Sequence, residues 1–148
     1  MRIHRFGIAA LALGALAACA SPTRPVEEAR QRVDETRPIC VSPRDCDAKW
    51  AAAREWIAGN ADYAIQRDTG VRIDTVSKGG EPTDKWAVVS RKPLGIPGQY
   101  LIDVALECTD HDRCPRAELV RAMQHFNDIV GQAGAKRVLS AASESATP

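Results

Sequence analysis

The chain has 148 residues, 45% of them hydrophobic, and carries 20 Lys+Arg against 19 Asp+Glu. Such a balance, with no concentrated basic patch, argues against a nucleic-acid partner. No internal repeat of solenoid type is visible, and the length leaves room for one domain with one core.

In chain order, "MRIHR" supplies Arg2 and Arg5 with no acid, and "FGIAALALGAL" follows as an apolar run. That run is the length of a signal-peptide core and short for a bilayer span. It ends in "LAAC", Leu16 to Cys19. Small residues before a cysteine at that place resemble the lipobox of bacterial lipoproteins. The resemblance implies cleavage before Cys19 and lipid on its sulfur and new amino group, so the membrane is an expected partner. Several acyl chains, at about 0.8 kcal/mol per buried methylene, give stable anchoring. In a Gram-negative cell Ala20 and Ser21, neither of them Asp, favour the outer membrane, facing the periplasm. Loss of residues 1–18 removes Arg2 and Arg5, leaving 18 basic residues against 19 acidic ones.

The segment 19–38, "CASPTRPVEEARQRVDETRP", has three prolines and little to bury. It reads as a lipidated cysteine and flexible tether, with a helical turn or two near "VEEARQRV". One α+β domain is expected over 39–139, and a disordered tail over 140–148.

Giving Cys19 to lipid leaves Cys40, Cys46, Cys108 and Cys114, in two Cys-x5-Cys units, "CVSPRDC" and "CTDHDRC". An oxidising compartment favours disulfides, and zinc prefers shorter cysteine spacings. Four cysteines allow three pairings. Local pairing would staple each unit to the start of a helix, at about 2–3 kcal/mol per loop. Crossed bonds are the alternative if the two helix N-termini sit side by side.

Between the staples the periodicity is legible. Around "DAKWAAAREWIAGN", which follows Cys46, residues Cys46, Trp50, Ala53 and Ile57 share a helical face, Asp45 or Asp47 can cap, and Gly59 and Asn60 stop the helix. "YAIQ" is a weak strand. "VRIDTV" alternates, with Val71 and Ile73 on one face. "WAVVSR" is a strand, and "SKGGEPTDK" and "KPLGIPG" are turns. "QYLIDVALEC" is the clearest strand, with Tyr100, Ile102, Val104 and Leu106 inward and Cys108 continuing the series. In the last helix Pro115 suits the first turn. Leu119, Ala122, Met123, Phe126, Ile129, Val130 and Ala133 form its apolar stripe. The expected fold is an α+β two-layer sandwich: helix, antiparallel meander of three to four strands, helix, with both helices on one side and two disulfides.

No catalytic motif emerges. G-x-S-x-G, H-E-x-x-H, P-loop and dinucleotide glycine patterns are missing from the sequence. His111 reads as part of a polar loop, and His125 as part of a solvated helix face. No cofactor and no metal site is expected. Trp56 lies about 80° from the centre of its helix stripe, so it either covers the core edge or contacts a partner. Arg44, Arg113 and Arg116 lie in or beside the staples and would form a basic patch for an acidic partner if those staples were neighbours. "CVSPRDCDAKWAAAREWI" together with the lipobox resembles a group of small proteobacterial envelope lipoproteins to which no activity is assigned. These features lead to the expectation of a non-enzymatic, lipid-anchored envelope protein that binds an envelope protein or cell-wall component. The alternative is a periplasmic inhibitor or chaperone-like accessory, with "KPLGIPG" as its protruding loop.

Overall fold

A computed structural model of the chain describes residues 24–75, 81, 83–110 and 112–144, with side chains to residue 134. The signal segment, Cys19, His111 and residues 145–148 lie outside the described residues.

The elements are α1 (Arg24–Glu35), β1 (Ile39–Cys40), α2 (Pro43–Asn60), β2 (Arg67–Asp68), β3 (Arg72–Asp74), β4 (Lys85–Pro93), β5 (Tyr100–Cys108) and α3 (Arg116–Glu144). The strands form one antiparallel sheet in the order β1-β5-β4-β3-β2. The fold is the expected α+β sandwich, with five strands where three to four were expected. β1 and β2 are two residues each, too short to show an alternation. "YAIQ" stays irregular, and the pairing begins just after it.

β4 and β5 pair along their full nine-residue lengths, from Lys85↔Cys108 to Pro93↔Tyr100. Alternation on the two strands places Ala87, Val89, Ile102, Val104 and Leu106 on one face, all buried. Trp50, Ala53, Trp56 and Ile57 of α2 and Phe126 and Val130 of α3 complete this core. The connecting loop obeys its sequence. Gln99 N–H donates to Ile96 O at 3.0 Å across Pro97 and Gly98. Gly98 has φ 78°, as position i+2 of a type II turn requires, and Gly95 has the same φ.

α2 starts one turn earlier than expected. Ser42, not Asp45 or Asp47, is the N-cap, its Oγ accepting from Asp45 N–H, with Pro43 at the first helical position. Asp45 has a different task. Its carboxylate accepts from Val41 N–H at 3.0 Å and pairs with Lys49, whose Nζ donates to Ile39 O at 2.6 Å. One aspartate thus joins the loop after β1 to the first turns of α2.

Four expectations at the margins are corrected. The tether reading of 19–38 fails from Arg24 onward, since α1 is a three-turn helix packed on α3. Val33 is its buried residue, and Asn127 Nδ2 caps its end, donating to Val33 O at 2.8 Å and to Thr36 Oγ1 at 3.1 Å. α3 continues to Glu144, past the expected tail boundary at 140. Ile129 is exposed whereas Val120 and Asn127 are buried, because α3 is covered by α1 as well as by α2 and the sheet. Val71 does not share the inward face of Ile73: it lies before β3 in the β2–β3 turn and is exposed.

α2 and α3 run antiparallel, with the Gly134 backbone against Asp45 and Lys49 and Phe126 against Trp56. A Cβ on Gly134 would collide with the Asp45 carboxylate, whereas nothing lies within 4 Å of one on Gly131. Gly131→Ala should therefore raise stability by about 0.5–1 kcal/mol through helix propensity. Gly134→Ala should lower it despite the same propensity gain. Urea midpoints of the two variants measure the difference, and equal shifts would contradict this packing.

Candidate functional site

Both cysteine units pair locally. Cys40–Cys46 has its Cα atoms 4.9 Å apart and Cys108–Cys114 has them 6.0 Å apart. Crossed bonding is excluded by where the units sit. Cys40 pairs with Tyr100 at the first residue of β5, and Cys108 is the last residue of that strand. Eight residue steps at about 3.3 Å put the staples roughly 26 Å apart. Within the second unit Asp110 Oδ1 accepts from Asp112 N–H at 2.9 Å, an Asx-turn, and pairs with Arg113.

That separation dissolves the expected basic patch. Arg44 is exposed near the start of α2, at the Cys40–Cys46 end. Arg113 and Arg116 are exposed at the other end, on the second staple and the first residue of α3. Of the two readings of Trp56, the core one fits and the exposed contact does not. Trp56 is only 5% exposed, packs edge-on against Phe126 with ring centroids 5.3 Å apart, and donates from Nε1 to His125 Nδ1 at 3.0 Å. The helix stripe is wider than its four named residues because α3 packs over its flank. His125, exposed as expected, also has an internal job: its Nδ1 is the acceptor that lets the indole N–H be buried.

Two surfaces remain as candidates. The first is an apolar tip at the Cys40–Cys46 end. Val41 (60% exposed), Val71 (59%), Leu94 (41%) and Ile96 (56%) come there from three different connections. Val71 O accepts from Arg91 N–H at 2.9 Å, two residues from the β4–β5 loop. Cys46 Sγ lies 3.9 Å from Gly98 O, so the first staple rests on that loop. The tip has a rigid base. Trp50 Nε1 donates to Thr69 O at 3.1 Å and fixes the β2–β3 turn. Arg91 stacks on Trp50, 4.7 Å from the ring centroid, lies 5.8 Å from that of Tyr100, and donates to Cys46 O at 3.2 Å. Arg54 donates to both Asp68 carboxylate oxygens, joining α2 to β2. These bonds hold the Asp68 carboxyl below the usual aspartate range and raise the Arg54 pKa. Whatever stability this exposed pair adds is present at neutral pH and disappears as pH falls through the lowered carboxyl pKa.

The second surface is a groove of about 440 Å³ between α1, α3 and β5. Val33, Leu119 and Met123 give it apolar walls, and Arg30, Arg37, Arg116, Asp103 and Glu107 rim it. Of the three arginines expected at a contact surface, only Arg116 reaches it. Arg30 and Arg37 escaped sequence reading because they sat in a presumed tether, and they share a groove only once α1 is docked on α3. Among the described residues, no three His, Cys, Asp or Glu side chains gather as a metal site would require. No protein-family model, curated protein or solved structure matches the chain.

Trp56→Ala should cost about 3–5 kcal/mol, as truncation of a buried aromatic does, and thermal unfolding will measure it. A near-wild-type melting temperature would contradict the buried placement.

Proposed function

We propose that the chain is a lipid-anchored envelope protein whose domain binds a protein partner through its apolar tip, away from the membrane that holds it. The observation that carries the binding reading is the tip itself. Most large apolar side chains exposed on the described surface gather at one end, on turns that internal bonds make stiff. Exposed apolar groups concentrated in one place mark contact surfaces, whereas scattered ones do not.

The direction follows from α1. Its C-terminal end lies at Asn127, and Arg30 shares the groove with Arg116 and Leu119, so α1 runs parallel to α3. Its N-terminus, Arg24, therefore points toward the Cys108–Cys114 end. The lipobox cysteine, Cys19, precedes Arg24 by five residues, which span at most about 18 Å. The tip lies at the far end of β5, roughly 26 Å from the second staple. An anchor at Cys19 thus presents the tip to the aqueous side, which in an outer-membrane lipoprotein of the expected kind is the periplasm. No described helix is long and apolar enough to cross a membrane, and the lipobox carries the anchoring reading.

The β4–β5 loop also supports the second reading, an inhibitor that plugs a cleft. Leu94 and Ile96 stand out between Pro93 and Pro97 on a loop closed by Leu94 N–H to Gln99 O at 3.2 Å. Such a loop loses little freedom on binding.

Two measurements test the anchored-binder reading. Cys19→Ala should abolish lipid addition and leave an uncleaved precursor, read by mass analysis of the membrane fraction; a processed, lipidated product would refute the anchor. A photo-crosslinking residue at Ile96 should capture one envelope protein in intact cells, and Leu94→Asp should abolish the capture. If the captured protein is an enzyme whose activity rises in the Leu94→Asp strain, the inhibitor reading holds; unchanged activity favours assembly. Equal capture from Ile96 and from an exposed site on α3 would overturn the tip as a contact surface.

A further inference from the structure

β5 has one edge that its own sheet leaves unfinished. β1 covers only Tyr100 and Leu101, and the next bond on that side runs from Ile102 N–H to Pro38 O at 2.8 Å. Backbone groups of a strand alternate sides with a period of two, so Val104 and Leu106 turn their N–H and C=O groups the same way as Ile102. Among the described residues, no hydrogen bond reaches these groups on that side. The chain that would have continued the pairing turns away at Arg37 into α1. α1 is held through α3, by Val33 and Asn127, and is linked to β5 by Arg37, just past its end, which pairs with Asp34 of α1 and, at 3.7 Å, with Asp103.

The unpaired edge opens into the groove, and its charges are uneven along its length. At the Asp103 end they are committed: Arg37 pairs with Asp34 and Asp103, and Lys92 also bonds Asp103. At the Glu107 end they are not. Arg116 heads α3 there, and Arg30 of α1 lines the same groove as Leu106 and Glu107. Arg30, Arg116 and Glu107 have no ion-pair partner among the described residues. Two guanidinium groups and one carboxylate without ion-pair partners thus line this end of the groove, beside the free backbone edge.

We infer that this groove binds an extended peptide segment of a partner protein, which adds a strand to β5 at Val104 and Leu106 and sets a carboxylate against Arg30 and Arg116. Strand addition supplies the main-chain bonds, and alternate side chains supply selectivity. Residues of the segment opposite Val104 and Leu106 point inward, between α1 and α3, onto Val33, Leu119 and Met123. Those opposite Ala105 point outward, where its small exposed side chain leaves room. The carboxylate suits guanidinium, which takes it with two parallel bonds. β1 shows that this edge accepts an antiparallel strand, and the inferred segment extends the same ladder. The site is separate from the tip, so either can fail without the other.

The test uses the full-length protein in mild detergent and a fluorescein-labelled peptide of alternating threonine and valine ending in two glutamates. Fluorescence anisotropy should show saturable binding. Hydrogen–deuterium exchange at the Val104 and Leu106 amides should slow at least tenfold, with no comparable change in the β4–β5 loop. The Arg30→Glu, Arg116→Glu double variant alters exposed side chains only, so its melting temperature should stay near wild type while affinity falls at least tenfold. The same peptide N-methylated at alternate residues should not bind. Lack of binding at millimolar peptide, undiminished binding of the N-methylated form, or unprotected Val104 and Leu106 amides would each overturn strand addition. Binding insensitive to the charge reversal would overturn the carboxylate assignment.

Discussion

Ala87, Val89, Ile102, Val104 and Leu106 give the β4–β5 ribbon one continuous apolar face, and α2 and α3 are placed by the need to cover it. A two-strand ribbon is not stable alone in water. Each large aliphatic side chain fully buried contributes about 1.5–3 kcal/mol, so this face outweighs the two staples, at about 2–3 kcal/mol each by loop entropy. α2 and α3 cover it together, and their own contact, Trp56 on Phe126, closes the layer. The short strands follow from the ribbon: β3 and β2 add to its free side at β4, and β1 to part of its other side at β5.

The staples sit at the ribbon's two ends and do different work. Cys40–Cys46 belongs to a dense knot in which Asp45, Lys49, Arg91 and Trp50 tie β1, α2, β4 and the β2–β3 turn together. Removing the bond there would leave many of those contacts in place. Cys108–Cys114 closes a loop that also holds the Asp110 turn and the exposed Arg113–Asp110 pair, with Thr109 N–H donating to Asp84 O at 3.1 Å. Its contribution is the direction it gives the chain, reversing from the end of β5 into α3.

Much of this was legible in the sequence because its signals are local. The alternation in β5, the α2 face of Cys46, Trp50, Ala53 and Ile57, and the Pro97–Gly98 turn each rest on spacings within a few residues. What escaped depends on contacts between distant segments. α1 carries a single buried apolar residue, Val33, and its cap comes from Asn127, 94 residues away, so no pattern within the segment marks it as packed. The same contact explains Val120 and Ile129: α1 covers one side of α3 that a two-layer reading leaves to solvent. Trp56 reads ambiguously at 80° from its stripe because the deciding partner, His125, looks like an ordinary exposed residue of another helix. The candidate groove was hidden for a related reason. Arg116 stood out beside a cysteine, but Arg30, Arg37 and the open edge of β5 acquire meaning only when α1 is docked.

α1 connects the two halves of the functional reading. It is the first described element after Cys19, and it forms one wall of the groove. Its hold on the domain is modest: one valine, one asparagine cap and the Arg37 pairs, against the many apolar contacts that secure α2 and α3. A segment bound in the groove gives α1 a second apolar surface to pack on and a carboxylate for Arg30. Occupancy and docking of α1 therefore favour each other, since whatever binds only the docked arrangement stabilises it. The helix nearest the proposed anchor is thus also the element whose position a groove partner would fix, while the tip, built on the first staple at the other end of the ribbon, stands independent of it.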